Sequence, residues 1–143
     1  MTIGYGIIGT LNFGGGIMPS KSPLNAGFLL NLLSINPYQE YNEILWRMTD
    51  EGYIMCAQLS TSGEELVLEV EQTNGTIRLW TKAGTNNQKW LLANEKLYNV
   101  MDARVVDVVL PGYDMTLCMR KASEGHVQWS FTGTPPTVKQ MRK

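Results

Sequence analysis

Three tryptophans recur along this chain at nearly regular intervals. Trp46, Trp90 and Trp129 are 44 and 39 residues apart, and the fourth tryptophan, Trp80, falls outside the series. Intervals of this length are typical of structural repeats, in which each unit is one supersecondary motif that buries its apolar face against its neighbours. The spacing therefore predicts three units of about 40 residues, each ending on one of these tryptophans.

The local pattern within the units indicates β-strands. In residues 66–71 the apolar Leu66, Leu68 and Val70 alternate with Val67, Glu69 and Glu71, a spacing typical of a strand with one half-buried face. The dipeptide Asn74-Gly75 then favours a tight hairpin turn, and residues 76–80 form the returning strand. Shorter apolar segments at 90–92 and 96–101 predict further strands.

No segment of ten or more residues shows a convincing helical stripe. The nearest is 24–35, but Gly27 lies inside it and Pro37 follows it, so we predict a strand there.

Overlaying the units gives their boundaries. The predicted repeats are 1–48, 52–94 and 95–131, followed by a loose tail at 132–143. The overlay sets residues 66–70 on 99–103, 77–80 on 115–118, and 87–90 on 126–129. Glu69 then coincides with Asp102, and Cys118 with Trp80.

The second unit ends on Gln88-Lys89-Trp90, a complete Gln-x-Trp motif. With this motif, the tryptophan spacing and the repeated segments, the chain resembles the ricin-type β-trefoil lectins over most of residues 5–132, most strongly in repeat two. The resemblance implies an all-β fold of three four-stranded repeats with pseudo-threefold symmetry. In that family the strands close into a six-stranded barrel capped by three hairpins, which removes exposed sheet edges.

The resemblance also implies a sugar site in repeat two. Glu69 stands where the family has its hydroxyl-binding acid, Trp80 where it has the stacking aromatic, and Asn87 where it has an amide, with Gln88 supporting the carboxylate from behind. Carboxylates and amides suit sugar hydroxyls, and an aromatic plane suits the C–H face of a sugar ring. Arg78 lies two residues from Trp80 on the predicted strand, so it shares the face of Trp80 and is placed to reach a substituent or an acidic sugar.

The expected ligands are galactose- or N-acetylgalactosamine-type glycans. Glu69 replaces the aspartate of the family, and its extra methylene changes which hydroxyls fit, so the particular sugar stays open. A second site is predicted in repeat three from Asp102, Tyr113 and His126. Repeat one is predicted to have lost its site, although it holds scattered polar candidates: Asn31, Tyr38 and Asn42.

Other interpretations compete with a lectin. Leu79 and Trp80 alternate faces, so Trp80 lies in the core if Leu79 points outward. Independently, Glu69 has acidic neighbours and could be a solvated strand residue, since charge on an open face needs no function. The Gly- and Pro-rich segment 14–23 and the weak first repeat favour an interaction trefoil without a sugar site, such as a protease inhibitor or a toxin-associated subunit. A third alternative is a carbohydrate-binding module of a larger enzyme or toxin.

Catalysis is not expected. The single histidine, His126, and two distant cysteines, Cys56 and Cys118, leave no pattern for nucleophilic or metal chemistry, so we predict no enzyme activity, metal or cofactor. Residues 4–9 spell Gly-x-Gly-x-x-Gly, but no strand precedes them, and glycines and a proline exclude a following helix. A dinucleotide site is therefore rejected.

Charge and hydropathy limit the partners. The net charge of −1 argues against nucleic acid, and no apolar run is long enough to span a membrane. The N-terminal segment, residues 1–16, lacks the basic region of a signal peptide. Two cysteines are too few for a disulfide scaffold. We therefore expect both thiols to be free, and the protein to be cytoplasmic or released by a leaderless route. The expected partners are glycans or glycoproteins, and the expected assembly is a homodimer or a toxin complex.

Overall fold

The structure, a computed structural model, describes residues 6–10, 16–19, 26–27, 29–33, 45–57, 59–73, 75–109 and 115–133. These residues form twelve β-strands and two short 3-10 turns, Asn86–Gln88 and Ala122–Glu124. The strands are β1 Gly6–Thr10, β2 Gly16–Pro19, β3 Leu30–Leu33, β4 Trp46–Met48, β5 Ile54–Cys56, β6 Leu66–Val70, β7 Ile77–Thr81, β8 Trp90–Ala93, β9 Lys96–Asn99, β10 Val105–Val109, β11 Met115–Arg120 and β12 Trp129–Gly133.

The strands fall into three sets of four, which is the predicted β-trefoil. Strands β1–β4, β5–β8 and β9–β12 lie in the first, second and third repeats. Strand β12 continues to Gly133, two residues beyond the predicted end of repeat three. Strand β3 occupies 30–33, part of the segment 24–35 predicted as a strand, and Gly27 lies in a turn with φ +95°.

Antiparallel pairing joins the repeats. Strand β1 pairs with β4 and β12, β4 pairs with β5, and β8 pairs with β9. Each repeat also has a hairpin made of its second and third strands, namely β2–β3, β6–β7 and β10–β11. The hairpins meet one another, since β3 pairs with β11 and Leu29 bridges to Arg78.

The three regularly spaced tryptophans lie in one shared hydrophobic core. Each indole Nε1 donates a hydrogen bond to a backbone carbonyl on the second strand of its own repeat. The pairs are Trp46 to Ile17 (2.9 Å), Trp90 to Leu68 (3.0 Å) and Trp129 to Val106 (2.8 Å). Each tryptophan therefore fills the core and also fixes the position of the hairpin that caps its repeat.

The β6–β7 hairpin differs from its prediction in two ways. All five residues of β6 are buried, because Val67 packs with Tyr53 and Met55 in a second, smaller apolar cluster. The chain reverses through the four residues 72–75, closed by the Glu71 N–H bond to the Thr76 carbonyl (2.8 Å), with Gly75 at φ +76°. The predicted two-residue turn is therefore wrong, and Asn74 itself lies outside the described residues.

Both cysteines are free thiols, as predicted. Cys56 is buried, and Cys118 is half-buried on β11. Burial raises the pKa of the Cys118 thiol, and the positive charge of Arg120 partly offsets that rise. No helix within the described part of the chain is long and apolar enough to cross a membrane.

The indole hydrogen bonds predict unequal effects of two matched substitutions. Trp129→Phe removes a buried hydrogen bond and leaves a cavity, so we expect a loss of about 2–4 kcal/mol in the free energy of unfolding. Trp80→Phe, at a half-buried position, should cost less than about 1 kcal/mol. Urea unfolding of both variants measures the difference. Equal losses of unfolding free energy would contradict the account in which Trp129, and not Trp80, holds the core together.

Candidate functional site

The outer face of the β6–β7 hairpin brings three predicted site residues together. In the pairing register Glu69 lies opposite Arg78, and Val67 lies opposite Trp80. Leu79 is fully buried in the core, so its neighbour Trp80 points outward and is half-buried. The interpretation that placed Trp80 in the core is therefore excluded.

Glu69 is buried within a network of donors. Arg78 approaches its Oε2 through Nε at 2.8 Å and through Nη2 at 2.7 Å. Gln88 donates from Nε2 to its Oε1 at 2.9 Å. Glu69 is 4% exposed, so it is not the solvated strand residue of the competing interpretation, and a ligand hydroxyl reaches it only if Arg78 moves.

Gln88 connects this carboxylate to the loop after β7. Its Nε2 also donates to the Thr81 carbonyl at 2.8 Å, and its Oε1 accepts the Ala83 N–H at 2.7 Å. Gln88 is fully buried, and its bond to Glu69 is buried, whereas its bonds to Thr81 and Ala83 are partly buried. This is the geometry expected of a residue that supports Glu69 from behind.

Asn87 uses its side chain inside the protein. Its Nδ2 donates to the Val70 carbonyl at 2.9 Å, and its Oδ1 accepts a short hydrogen bond from the Thr85 hydroxyl. Asn99 donates to the Asn87 carbonyl at 3.2 Å. Asn87 is buried; its Nδ2 holds the 3-10 turn against β6, and its Oδ1 bonds Thr85 at the start of that turn.

The outermost part of the site is a stack of Arg78 on Trp80. The guanidinium carbon lies 4.0 Å from the centroid of the indole ring, a cation–π distance. A segment of repeat one borders the stack, because Gly27 donates to the Leu79 carbonyl at 2.6 Å. A Cβ at Gly27 would lie 3.8 Å from Trp80 Cζ3, an ordinary contact, so it is the φ of +95° that favours glycine beside the ring edge.

Repeat three contains an equivalent carboxylate, and it is Asp107. The acceptors of the two indole bonds, Leu68 and Val106, immediately precede Glu69 and Asp107. Asp107 is 1% exposed. Its Oδ1 accepts the Val108 N–H at 2.9 Å, and its Oδ2 accepts the His126 N–H at 3.0 Å.

Arg120 provides the positive charge at this second carboxylate. Its Nε lies 3.0 Å from Oδ2 of Asp107, and Arg120 is the last residue of β11. Val105 pairs with Arg120 as Val67 pairs with Trp80, and Asp107 pairs with Cys118 as Glu69 pairs with Arg78. Arg120 thus occupies the position of the aromatic, and the predicted match of Cys118 with Trp80 is wrong by two residues.

The predicted site around Asp102 does not form in the described residues. Asp102 lies in the β9–β10 turn, about one third exposed, and pairs with Arg104 at 2.6 Å. The histidine predicted beside it, His126, is exposed and reaches Asp107 only through its backbone. Tyr113 lies outside the described residues.

One sequence signal would have identified Asp107. Glu69 precedes its closing tryptophan by 21 residues, and Asp107 precedes Trp129 by 22, whereas Asp102 precedes it by 27. Since the closing tryptophan bonds the hairpin strand that holds the acid, this interval is the physically constrained one.

Repeat one has a methionine at the position of the acid. The indole of Trp46 bonds the Ile17 carbonyl, so Met18 is the counterpart of Glu69, and Asn31 pairs with it. A thioether cannot replace a carboxylate as a strong acceptor. The other two candidates, Tyr38 and Asn42, lie outside the described residues. Across the described ranges no group of three or more His, Cys, Asp or Glu side chains is placed to hold a metal ion.

Comparisons with known proteins establish the fold. No protein-family model matches the sequence, and no curated protein sequence does. Among solved structures, the β-trefoil lectin of the Vibrio vulnificus hemolysin/cytolysin, with N-acetyl-D-lactosamine bound, matches with a TM-score of 0.76 at 14% identity, covering 94% of this chain and 98% of that one.

Two further structures agree. The C-half of the earthworm R-type lectin, in complex with GalNAc, has a TM-score of 0.75 at 11% identity over 92% of this chain and 99% of its own. The designed threefold-symmetric protein ThreeFoil has a TM-score of 0.71 at 19% identity over 91% and 99%. At these identities the similarity shows that the chain is a β-trefoil protein.

The Glu69–Arg78 pair predicts strong energetic coupling. Removing one partner leaves the other charge buried or half-buried, whereas the neutral double variant E69Q/R78Q leaves no charge unpaired. We expect a coupling energy of about 1–3 kcal/mol from a double-mutant cycle by urea unfolding. The exposed pair in the cycle D102N/R104Q serves as the control and should give about 0–1 kcal/mol. Equal coupling in the two cycles would contradict the buried network.

The register of repeat three predicts which aspartate matters for stability. Asp107→Asn removes a buried negative charge that faces two N–H groups and a guanidinium, so we expect a loss of about 2–4 kcal/mol. Asp102→Asn should cost less than about 1 kcal/mol because its ion pair is exposed. Thermal or urea unfolding compares them, and a larger loss for Asp102→Asn would overturn the register described above.

Proposed function

We propose that this chain is a ricin-type β-trefoil lectin that binds galactose- or N-acetylgalactosamine-type glycans through repeat two. The observation that carries the proposal is the outward stack of Arg78 on Trp80, held from behind by buried Glu69 and Gln88. An aromatic plane suits the C–H face of a sugar ring, and the guanidinium stacked over part of that plane supplies charged donors for the oxygens of a ligand.

We propose different roles for these residues. Trp80 packs against the C–H face of the sugar with the ring surface that Arg78 leaves uncovered, and Arg78 donates to a ligand oxygen. Glu69, Gln88 and Asn87 act by positioning, because each already has internal hydrogen-bond partners. A site whose side chains are held before the ligand arrives loses less entropy on binding.

The structural neighbours support the choice of sugar. The Vibrio lectin holds N-acetyl-D-lactosamine, and the earthworm lectin holds GalNAc. Repeat two is also where the Gln-x-Trp motif is complete. A single sugar site gives weak binding, so we propose that useful avidity comes from a homodimer or from a partner in a larger toxin-like complex.

One observation favours the alternative of a trefoil that binds other proteins and no sugar. The acceptor groups of Glu69, Asn87 and Gln88 are all engaged inside the protein. In repeat three Arg120 stands where a stacking aromatic would be needed, so we propose no second stacking site there.

Trp80→Ala tests the lectin directly. The substitution removes the stacking plane, so binding on a glycan array should fall by about tenfold or more, equivalent to about 1.4 kcal/mol. Leu91→Ala is the matched control, since Leu91 is a large exposed apolar residue on β8 of the same repeat, and it should bind as wild type does. If wild type binds no glycan, or if Trp80→Ala binds normally, the sugar site in repeat two is wrong.

A further inference from the structure

The ion pair in repeat two exposes only its positive end. The side chain of Glu69 is 5% exposed, and that of Arg78 is 24% exposed. The carboxylate lies beneath the guanidinium and receives a further N–H from Gln88. A ligand that approaches Trp80 therefore meets a cation, while the balancing negative charge lies deeper.

The hydrogen-bonding capacity of this surface is equally one-sided. A guanidinium has five N–H donors, and Arg78 directs only Nε and Nη2 at Glu69, so the Nη1 donors face away from the carboxylate. The side-chain acceptors that were predicted for sugar hydroxyls are Glu69 and Asn87, and both are buried. Of these described side chains, the guanidinium is the one that offers hydrogen-bonding groups to a ligand, and they are donors.

We propose that the glycan bound at Arg78 and Trp80 carries an anionic substituent, a carboxylate or a sulfate ester, on its galactose-type unit. This inference rests on the proposed lectin function and specifies the class of its ligand. The planar fork of arginine matches both groups, and hydrogen bonds between ionised partners are about twice as strong as neutral ones. A neutral galactoside uses the ring of Trp80 but supplies no charge to the guanidinium.

Repeat three uses the same arrangement. Asp107 is buried and Arg120 lies against it with a side chain that is 39% exposed. The two arginines come from different positions of equivalent strands, Arg78 opposite its acid and Arg120 two residues further on. Each repeat that has a buried acid at this position also has an arginine against it. The surface cation therefore occurs in both repeats, although the two arginines occupy different positions on the third strand.

Calorimetric titration with three ligands tests the inference. The probes are lactose, sialyllactose and lactose sulfated on its galactose ring, each at low and high salt. Wild type is expected to bind at least one anionic probe about tenfold more tightly than lactose, with the advantage shrinking as salt rises. The two anionic arms show whether the carboxylate or the sulfate is the natural group.

Variants assign the preference to Arg78. E69Q/R78Q removes the charge pair without leaving a buried charge, and it should abolish the preference for the anionic probes. Arg78→Lys keeps a positive partner for Glu69 but loses the fork, so the preference should fall about threefold or more. Lys121→Gln removes one positive charge from an exposed residue of repeat three and should leave the preference intact.

The outcomes separate this inference from the lectin proposal. Binding of lactose at least as tight as that of both anionic probes overturns the inference and leaves the lectin standing. A preference that survives in both Arg78 variants overturns the assignment to Arg78. Failure of all three sugars to bind overturns the lectin, and the inference with it.

Discussion

The hydrogen bond from a core indole to a hairpin carbonyl is the constraint on which the rest of this structure depends. Three tryptophans, one closing each repeat, make it at 2.8–3.0 Å to the second strand of their own repeat. Each bond joins the common core to one hairpin, so the repeats keep the same internal geometry although their sequences have diverged. A buried N–H requires an acceptor, and the hairpin carbonyl supplies it.

The same bond sets the position of the site. The residue after the carbonyl acceptor is Glu69 in repeat two, Asp107 in repeat three and Met18 in repeat one, and the two acids share the outer face of their hairpins with the residues paired to them. The repeats with an acid hold an arginine over it. Core packing and surface chemistry are therefore coupled through two adjacent residues, one whose carbonyl serves the core and one whose carboxylate anchors a surface cation.

The sequence predicted the three repeats and the face shared by Arg78 and Trp80, because these follow from spacing alone. The pairing register of the hairpin strands could not be predicted in the same way. A two-residue Asn74-Gly75 turn would set Glu69 opposite Trp80, whereas the four-residue loop sets it opposite Arg78 and closes the ion pair. In repeat three the overlay matched 66–70, which form β6, to 99–103, which are the end of β9 and the turn before β10, so it chose Asp102 instead of Asp107.

Nuclear magnetic resonance of the four indole N–H groups tests the central claim most directly. The account predicts that the indoles of Trp46, Trp90 and Trp129 exchange slowly with deuterium, since all three are buried and bonded. The half-buried Trp80 should exchange fastest, and its indole signal alone should move when a galactoside is added. Rapid exchange at one of the three core indoles, or a ligand-induced shift there with Trp80 unmoved, would contradict the account.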